Sequence, residues 1–434
     1  MPETLRRYLR YTSWPILAAM IALMVLGVLA IRASELAEGE AAGFSTRQTI
    51  SACVALGAFV LATVVPYPRV GRLAYPLFGI TLAMLVLVLF LPEVRETHRW
   101  IALGPVQFQP SEVAKIAFIA LLAWYLRYRD NYRRLTGLIV PFVLTLVPMV
   151  LILREPDLGT ALLFLPTLYF MLFMAGAKWR HLLGIVGVAT ALVFVPVPHR
   201  ITEAMQNEEA ADRAALAYWV ERDADRKPTR VWLAAPLAIM KQHQIHRIDG
   251  WLRQGDPRIA MGRGYQLSHS KTALASGMMT GRGDWSDADT YLSLLPEDHT
   301  DFIFSVIGGQ WGFVGCVGVL ALYAVIFVFG IEIAAITHDP FARLLAVGVL
   351  ALMLAQIFIN VGMTMGLMPI TGMTLPLVSY GGSSLVVNCA ALGLLVNVGM
   401  RRPILLSKRP FEYGPEREKP VRVGVMADAP RSAE

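Results

Sequence analysis

The chain has 434 residues, and its 39 Lys and Arg against 32 Asp and Glu leave a formal net charge of +7. Hydrophobic residues make up 56% and charged residues 16%, against roughly 25% charged in an ordinary soluble domain, and mean hydropathy is +0.53. These figures exclude a disordered chain, a secreted disulfide scaffold and a water-soluble globule. The solvent of this chain is mostly lipid.

Apolar runs follow one another along the sequence. The first, about 14–31, comes after Arg6, Arg7 and Arg10 and exceeds the roughly 7–15-residue core of a cleaved signal peptide, so it reads as a retained span. Runs at 48–66, 73–92, 112–127, 137–153, 158–175, 180–197, 302–331, 342–366 and 377–400 bring the total to ten, the eighth being long enough to tilt or bend. The expected fold class is an all-α polytopic membrane protein of ten transmembrane helices, with a large extracytoplasmic loop between the seventh and eighth. One set of short loops carries Arg69, Arg72, Arg127, Arg129, Arg133, Arg134, Lys178, Arg180 and Arg343. The opposite set carries Arg32, Arg47, Arg95, Arg99 and Arg154 beside Glu35, Glu38 and Glu40. By the positive-inside rule both termini are cytoplasmic. The expected divisions are a cytoplasmic N-terminus (1–13), seven spans (14–198), the outer loop (199–301), three spans (302–400) and a basic cytoplasmic tail (401–434) with the composition of a disordered segment.

The outer loop holds 13 basic and 15 acidic side chains, so the positive surplus belongs to short loops and tails. That pattern is membrane orientation, not nucleic-acid affinity. The first part of the loop, 201–230, is rich in Ala, Glu and Arg and is expected to form a charged surface helix. The second, 232–301, mixes aromatics, Gly and both charge signs, as suits a polar substrate handled at a membrane. Cys53, Cys316 and Cys389 each lie in an apolar run and are expected to be buried as small hydrophobic residues.

A carboxylate at membrane depth costs several kcal/mol unless paired or wet, so each one is a functional candidate. Glu112 and Lys115 are spaced i, i+3 on one face of the fourth span. They read either as a packing ion pair or as a polar cavity wall. Asp157, just before the sixth span, reads first as an N-cap. Asp301 immediately precedes Phe302-Ile303-Phe304, where the chain returns to the membrane. Apolar surroundings on one side and an outer cavity on the other suit a general base; helix capping is the alternative. Gly262-Arg263-Gly264 and Gly281-Arg282-Gly283 fit no nucleotide-binding pattern, though basic groups beside flexible backbone suit a diphosphate. His243 and His246 stand at i, i+3 without a further ligand type, so no dedicated metal site is expected. Ser379-Tyr380-Gly381-Gly382-Ser383-Ser384 suits close helix packing or a cavity lining, and Asn360, Asn388 and Asn397 suit interhelical hydrogen bonds.

Together these motifs resemble the SEDS family (shape, elongation, division and sporulation), the RodA/FtsW glycosyltransferases. The resemblance covers about 14–400. It rests on His98-Arg99-Trp100-Ile101 through Gln109-Pro110-Ser111-Glu112 and Lys115, on Glu155-Pro156-Asp157-Leu158-Gly159-Thr160, and on Gly264-Tyr265-Gln266 with Ser270-Lys271. Further carriers are Ser276-Gly277, Gly281-Arg282-Gly283, Leu295-Pro296-Glu297 with His299-Thr300-Asp301-Phe302-Ile303-Phe304, and Pro376-Leu377-Val378 leading into the Ser379 motif. Gly366-Leu367-Met368-Pro369 looks closer to the RodA branch than to the division-type FtsW branch. The segment 201–230 reads as an insertion in the family pattern, and Gly308-Gly309-Gln310-Trp311-Gly312 replaces a usual acidic pair.

The resemblance implies polymerisation of the lipid-linked peptidoglycan precursor lipid II at the outer face of the bacterial cytoplasmic membrane. It implies Asp301 as the catalytic residue and Trp100, Glu112 and Lys115 as cavity residues, with a class B penicillin-binding protein as partner and no nucleic acid. Asp157, Lys271, Arg282, His299, Ser379 and Tyr380 complete the candidate cavity. Asp301 would accept the proton of a sugar hydroxyl. Lys271, Arg282 and Lys115 are candidates to steady the departing diphosphate. No dedicated cofactor is expected; a divalent cation, Mg²⁺ or Mn²⁺, would come with the substrate's phosphates. The rival readings are a division-type (FtsW-like) polymerase, a flippase for the precursor and a silent scaffold in which Asp301 only caps its helix.

Overall fold

The computed structural model describes residues 12–38, 43–92, 99–103, 106–129, 131–155, 157–200, 216–224, 228–234, 242–256, 262, 264–282 and 299–401. The tail beyond 401 and the first eleven residues lie outside that set. In chain order the helices begin with Trp14–Glu38 (α1), Phe44–Val64 (α2), Tyr67–Arg72 (α3), Ala74–Val88 (α4) and Pro110–Leu126 (α5). Ile139–Arg154 (α6), Leu158–Ala175 (α7) and Trp179–Val193 (α8) follow, then the helices Gln242–Leu252 (α9) and Tyr265–Ser276 (α10). Ile303–Ile336 (α11), Pro340–Thr364 (α12) and Gly382–Met400 (α13) complete the set.

Each of the ten apolar runs contains a helix. Among the described residues 7 helices are long and apolar enough to cross a membrane: α1, α2, α6 with its leading turn from Leu135, α7, α11, α12 and α13. Helices α4, α5 and α8, at 15, 17 and 15 residues, are shorter. Helix α5 is enclosed almost all round, as expected of a helix apolar on every face. Ala114, Ala117, Ala120 and Ala123 recur every three residues along it and are buried, letting neighbouring backbones come close. Gly348 of α12 does the same, since a β-carbon there would meet Ile119 at 2.4 Å. Helices α2 and α13 pack through Gly393, whose β-carbon would lie 2.5 Å from the Phe59 carbonyl. Asn397 seals that pair by donating to the Ala62 and Thr63 carbonyls at 2.7 and 3.0 Å, satisfying the C-terminal end of α2.

Helix α11 bends at Gly312, which holds φ 63°, ψ −159°. The end of helix α10 docks at this bend: Phe313 N–H donates to Met278 O (2.8 Å) and Val314 N–H to Met279 O (3.1 Å). Contact is backbone to backbone there, since a β-carbon on Gly277 would fall 1.8 Å from the Gly308 carbonyl oxygen.

The all-α expectation is corrected in two places. Ile101–Leu103 (β1) and Val106–Phe108 (β2) form an antiparallel hairpin before α5. Pro196–Arg200 (β3), Trp219–Arg222 (β4) and Pro228–Ala234 (β5) form a three-stranded sheet in the order β3-β5-β4. The charged helix expected over 201–230 is therefore strand wherever regular structure is described. Alternation wins locally: Val231 and Leu233 are buried while Trp232 between them is half-buried and faces Trp219 across the strands. Residues 201–215 lie outside the described set. Of the cysteines, Cys316 and Cys389 are buried, but Cys53 is exposed on the outward face of α2.

Candidate active site

Four groups of side chains converge on the loop between α12 and α13. The first surrounds Asp301. Phe302, not Asp301, occupies the N-cap of α11, so this carboxylate stands ahead of the helix instead of capping it. Asp301 is half-buried, and its backbone carbonyl accepts from Asn360 Nδ2 of α12 at 3.0 Å. The same Asn360 amide reaches the Met373 carbonyl, which ties the start of α11 to the loop. Between them lies Gly372 at φ +73°, a left-handed conformation that favours glycine. A β-carbon on Gly372 would stand 3.4 Å from Asp301 Oδ2 and 3.1 Å from Arg247 Nη1. Arg247, on α9, was not among the sequence candidates.

The second group lines α5 and α7. Lys115 Nζ and Glu112 Oε2 are 2.8 Å apart and both side chains are buried, so the ion-pair reading holds. Asp157 is the N-cap of α7, accepting from Thr160 N–H at 3.1 Å. Its other oxygen accepts from Gln109 Nε2 (3.0 Å) and Ser111 Oγ (3.4 Å), joining the two helix starts. Next to it Glu155 is fully buried, and neither of its carboxylate oxygens has a hydrogen-bond partner. Burial, reinforced by the nearby Asp157 charge and opposed by Arg99, pushes its pKa from 4.5 up to about 9. Arg99 Nε donates to the Glu155 carbonyl at 2.8 Å, and Trp100 is half-buried just ahead of β1. A β-carbon on Gly159 of α7 would lie 2.9 Å from Thr371 O, so this group abuts the same loop as Asp301.

The third group is an open cavity of about 490 Å³ on the flank of α10, lined by Ser268, Lys271, Thr272, Ala275, Ser276 and Arg282. Lys271 Nζ donates to Gln254 Oε1 at 2.9 Å. The fourth is aromatic: His299 stacks on Phe44 of α2 (centroids 4.4 Å) and meets Tyr380 edge-on (5.5 Å). Tyr380 N–H donates to His299 O at 2.9 Å. Ser379, by contrast, is buried and spends its hydroxyl inside the loop, accepting from Leu375 N–H at 2.7 Å.

What the sequence missed is Arg247. The available signal was its spacing to Trp251, i and i+4 on one helix face. Trp251 Nε1 donates to Gly366 O at 3.0 Å, so the face that carries both residues is the one turned to the loop.

A carboxylate and a guanidinium beside one glycine form an arrangement suited to moving a proton and stabilising an anion. Known proteins bear on what it serves. A family model described as a cell cycle protein, FtsW/RodA/SpoVE, matches residues 8–403. The chain is 32% identical over 394 residues to the peptidoglycan glycosyltransferase MrdB of Escherichia coli (strain K12), covering 90% of this chain and 94% of that one. It is 33% identical over 423 residues to the peptidoglycan glycosyltransferase RodA of Treponema pallidum (strain Nichols), covering 89% and 97%. Among solved structures it is similar to the crystal structure of the Thermus thermophilus rod shape determining protein RodA, with a TM-score of 0.61, 27% identity and 90% and 97% of the two chains covered. It also matches a chain from work on structural coordination of polymerization and crosslinking by a peptidoglycan synthase complex, with a TM-score of 0.71, 28% identity and 91% and 99% covered. With a family model matching residues 8–403 and a similar fold over most of its length, the chain belongs to the FtsW/RodA/SpoVE family.

Proposed function

We propose that this protein is a RodA-like peptidoglycan glycosyltransferase that polymerises lipid II at the outer face of the bacterial cytoplasmic membrane, serving cell elongation. The observation that carries the reading is Asp301: a half-buried carboxylate ahead of α11, outside its N-cap, with Oδ2 beside Gly372 and near Arg247. The names of the matched relatives support the reaction class.

Mechanistically, the acceptor's sugar hydroxyl is a poor nucleophile, and Asp301 accepts its proton as the oxygen attacks the anomeric carbon. The leaving group is a lipid diphosphate whose developing charge needs donors in place beforehand. Lys271 and Arg282, lining one cavity, make a holding station for that anion. Lys115 is paired with Glu112; in this reading both belong with Trp100, Asp157, His299, Ser379 and Tyr380 to the substrate cavity. A divalent cation would arrive on the substrate's phosphates. We further read ten spans with both ends cytoplasmic, and a class B penicillin-binding protein as partner; the polymerization and crosslinking named for the matched synthase complex support that partnership.

The test is reconstitution with purified, labelled lipid II. Asp301→Asn abolishes polymer formation while the protein still folds and purifies as wild type; substantial residual synthesis overturns the assignment. Precursor flipping by vesicles that make no polymer would overturn the enzymatic reading as a whole.

A further inference from the structure

Helix α9 is fixed in place by its C-terminal end. Trp251 Nε1 and Gln254 Nε2 both donate to the Gly366 carbonyl, at 3.0 and 3.2 Å. Trp251 also packs on the buried cluster of Leu267, Phe302 and Ile370. Asp249 is fully buried and pairs with Arg253 at 2.8 Å. Arg247 lies one turn before Trp251 on the same face, so the anchored Trp251 aims Arg247 at the loop.

Of the neighbouring cations, Lys115 is paired with Glu112 and Arg99 donates to the Glu155 carbonyl, while Lys271, on Gln254, belongs to the cavity beside α10. Arg247 is half-buried and makes no hydrogen bond or ion pair with any described residue. Its Nη1 and Asp301 Oδ2 nonetheless both come within 3.4 Å of the point a Gly372 β-carbon would occupy. The two charged groups therefore both stand beside Gly372.

The geometry points to Arg247 as a further catalytic residue: over Gly372 its guanidinium takes the charge that develops on the departing lipid diphosphate, while Asp301 takes the proton. This deepens the glycosyltransferase reading and rests on it. The acceptor hydroxyl oxygen forms a bond to the anomeric carbon. The bond from that carbon to the diphosphate oxygen breaks, its electron pair leaves with the diphosphate, and the hydroxyl proton passes to Asp301. A guanidinium suits this position because it stays charged at any working pH and offers parallel donors to two phosphate oxygens.

The experiment measures kcat and KM for lipid II polymerisation by full-length wild type, Arg247→Ala, Arg247→Lys and Asp301→Asn, with thermal unfolding of each. Arg247→Ala loses roughly 10²-fold or more in kcat, the scale of one lost charge-stabilising donor set. Arg247→Lys loses about tenfold, keeping the charge but not the fork. Added guanidinium ion restores turnover to Arg247→Ala and none to Asp301→Asn. The assignment is overturned if Arg247→Ala stays within about threefold of wild type. It is equally overturned if Ala and Lys variants fall alike and guanidinium rescues neither, which marks a structural role. In both cases polymer made by the wild type leaves the glycosyltransferase reading standing, whereas a wild type that makes none removes that reading by itself, and an active Asp301→Asn removes only the role given to Asp301.

Discussion

Glu155 and Asp157 sit two residues apart and live in different electrostatic worlds. Asp157 is supplied with donors from Thr160, Gln109 and Ser111, whereas Glu155 is sealed with none for its carboxyl oxygens. A sealed carboxyl favours its neutral form. Its pKa is about 9 in the fold against 4.5 when free, so the native state holds a proton that the unfolded state gives up. The stabilising contribution is complete below pH 4.5 and is lost as pH rises toward about 9. Glu155→Gln keeps the shape and neutrality of the protonated form. Thermal unfolding across that window should show a falling stability for wild type and a flatter profile for the variant; parallel profiles would remove the account. The Glu112–Lys115 pair follows other rules. Both ions are buried, and removing one partner alone strands the other charge, which typically costs about 3–5 kcal/mol.

At the scale of elements, the loop 366–381 is where the molecule is pinned together. Gly366 receives α9, Thr371 abuts α7, and Met373 and Thr374 receive Asn360 and Gln356 of α12. Ser379 O accepts from Gln48 of α2 at 3.0 Å, and Ser383 Oγ donates to Gln107 O of β2 at 2.8 Å. Helix α10 is pinned differently, by backbone contact at Gly277. Gly277→Ala must push its β-carbon into the Gly308 carbonyl, an overpacking of typically about 1–3 kcal/mol. The expected result is a lower unfolding temperature and a misplaced Lys271 and Arg282, read as weaker polymerisation; a neutral substitution would mean that α10 stands off from α11. A helix in each of the ten apolar runs was legible in the sequence because such runs stand out from the polar loops between them, and Asp301 was legible as a candidate because it stands at the edge of one. The three-stranded sheet was not, because the charged composition of 201–230 masks the short Val–Trp–Leu alternation in β5. Arg247 was not, because one arginine on a polar helix becomes informative only when Trp251 is seen anchored to a loop that is distant in sequence.

For the molecule as a whole, burial grades from a dense centre to a lipid-facing rim. The apolar windows of α12 and α13 are 72% buried, while that of α2 is 17% buried. Exposed side chains such as Ile50, Val54, Leu61 and Val64 on α2 meet hydrocarbon instead of water. The exposed Cys53 belongs to the same rim, and the sequence could not tell an inward from an outward position within a uniformly apolar run. The positive-inside assignment makes a direct claim at this scale. In a Cys53→Ser background, a membrane-impermeant thiol reagent added to intact cells should label Asp223→Cys beside the three-stranded sheet and spare Arg129→Cys. Reversed labelling would invert the topology and put Asp301 on the wrong side. Gly372 carries one more implication, for anyone seeking compounds against this step. A small molecule wedged between Arg247 and Asp301 would rest on bare main chain, so a microbe could not evict it by enlarging residue 372 without obstructing its own sugar, and the usual road to drug resistance would be closed at that wall.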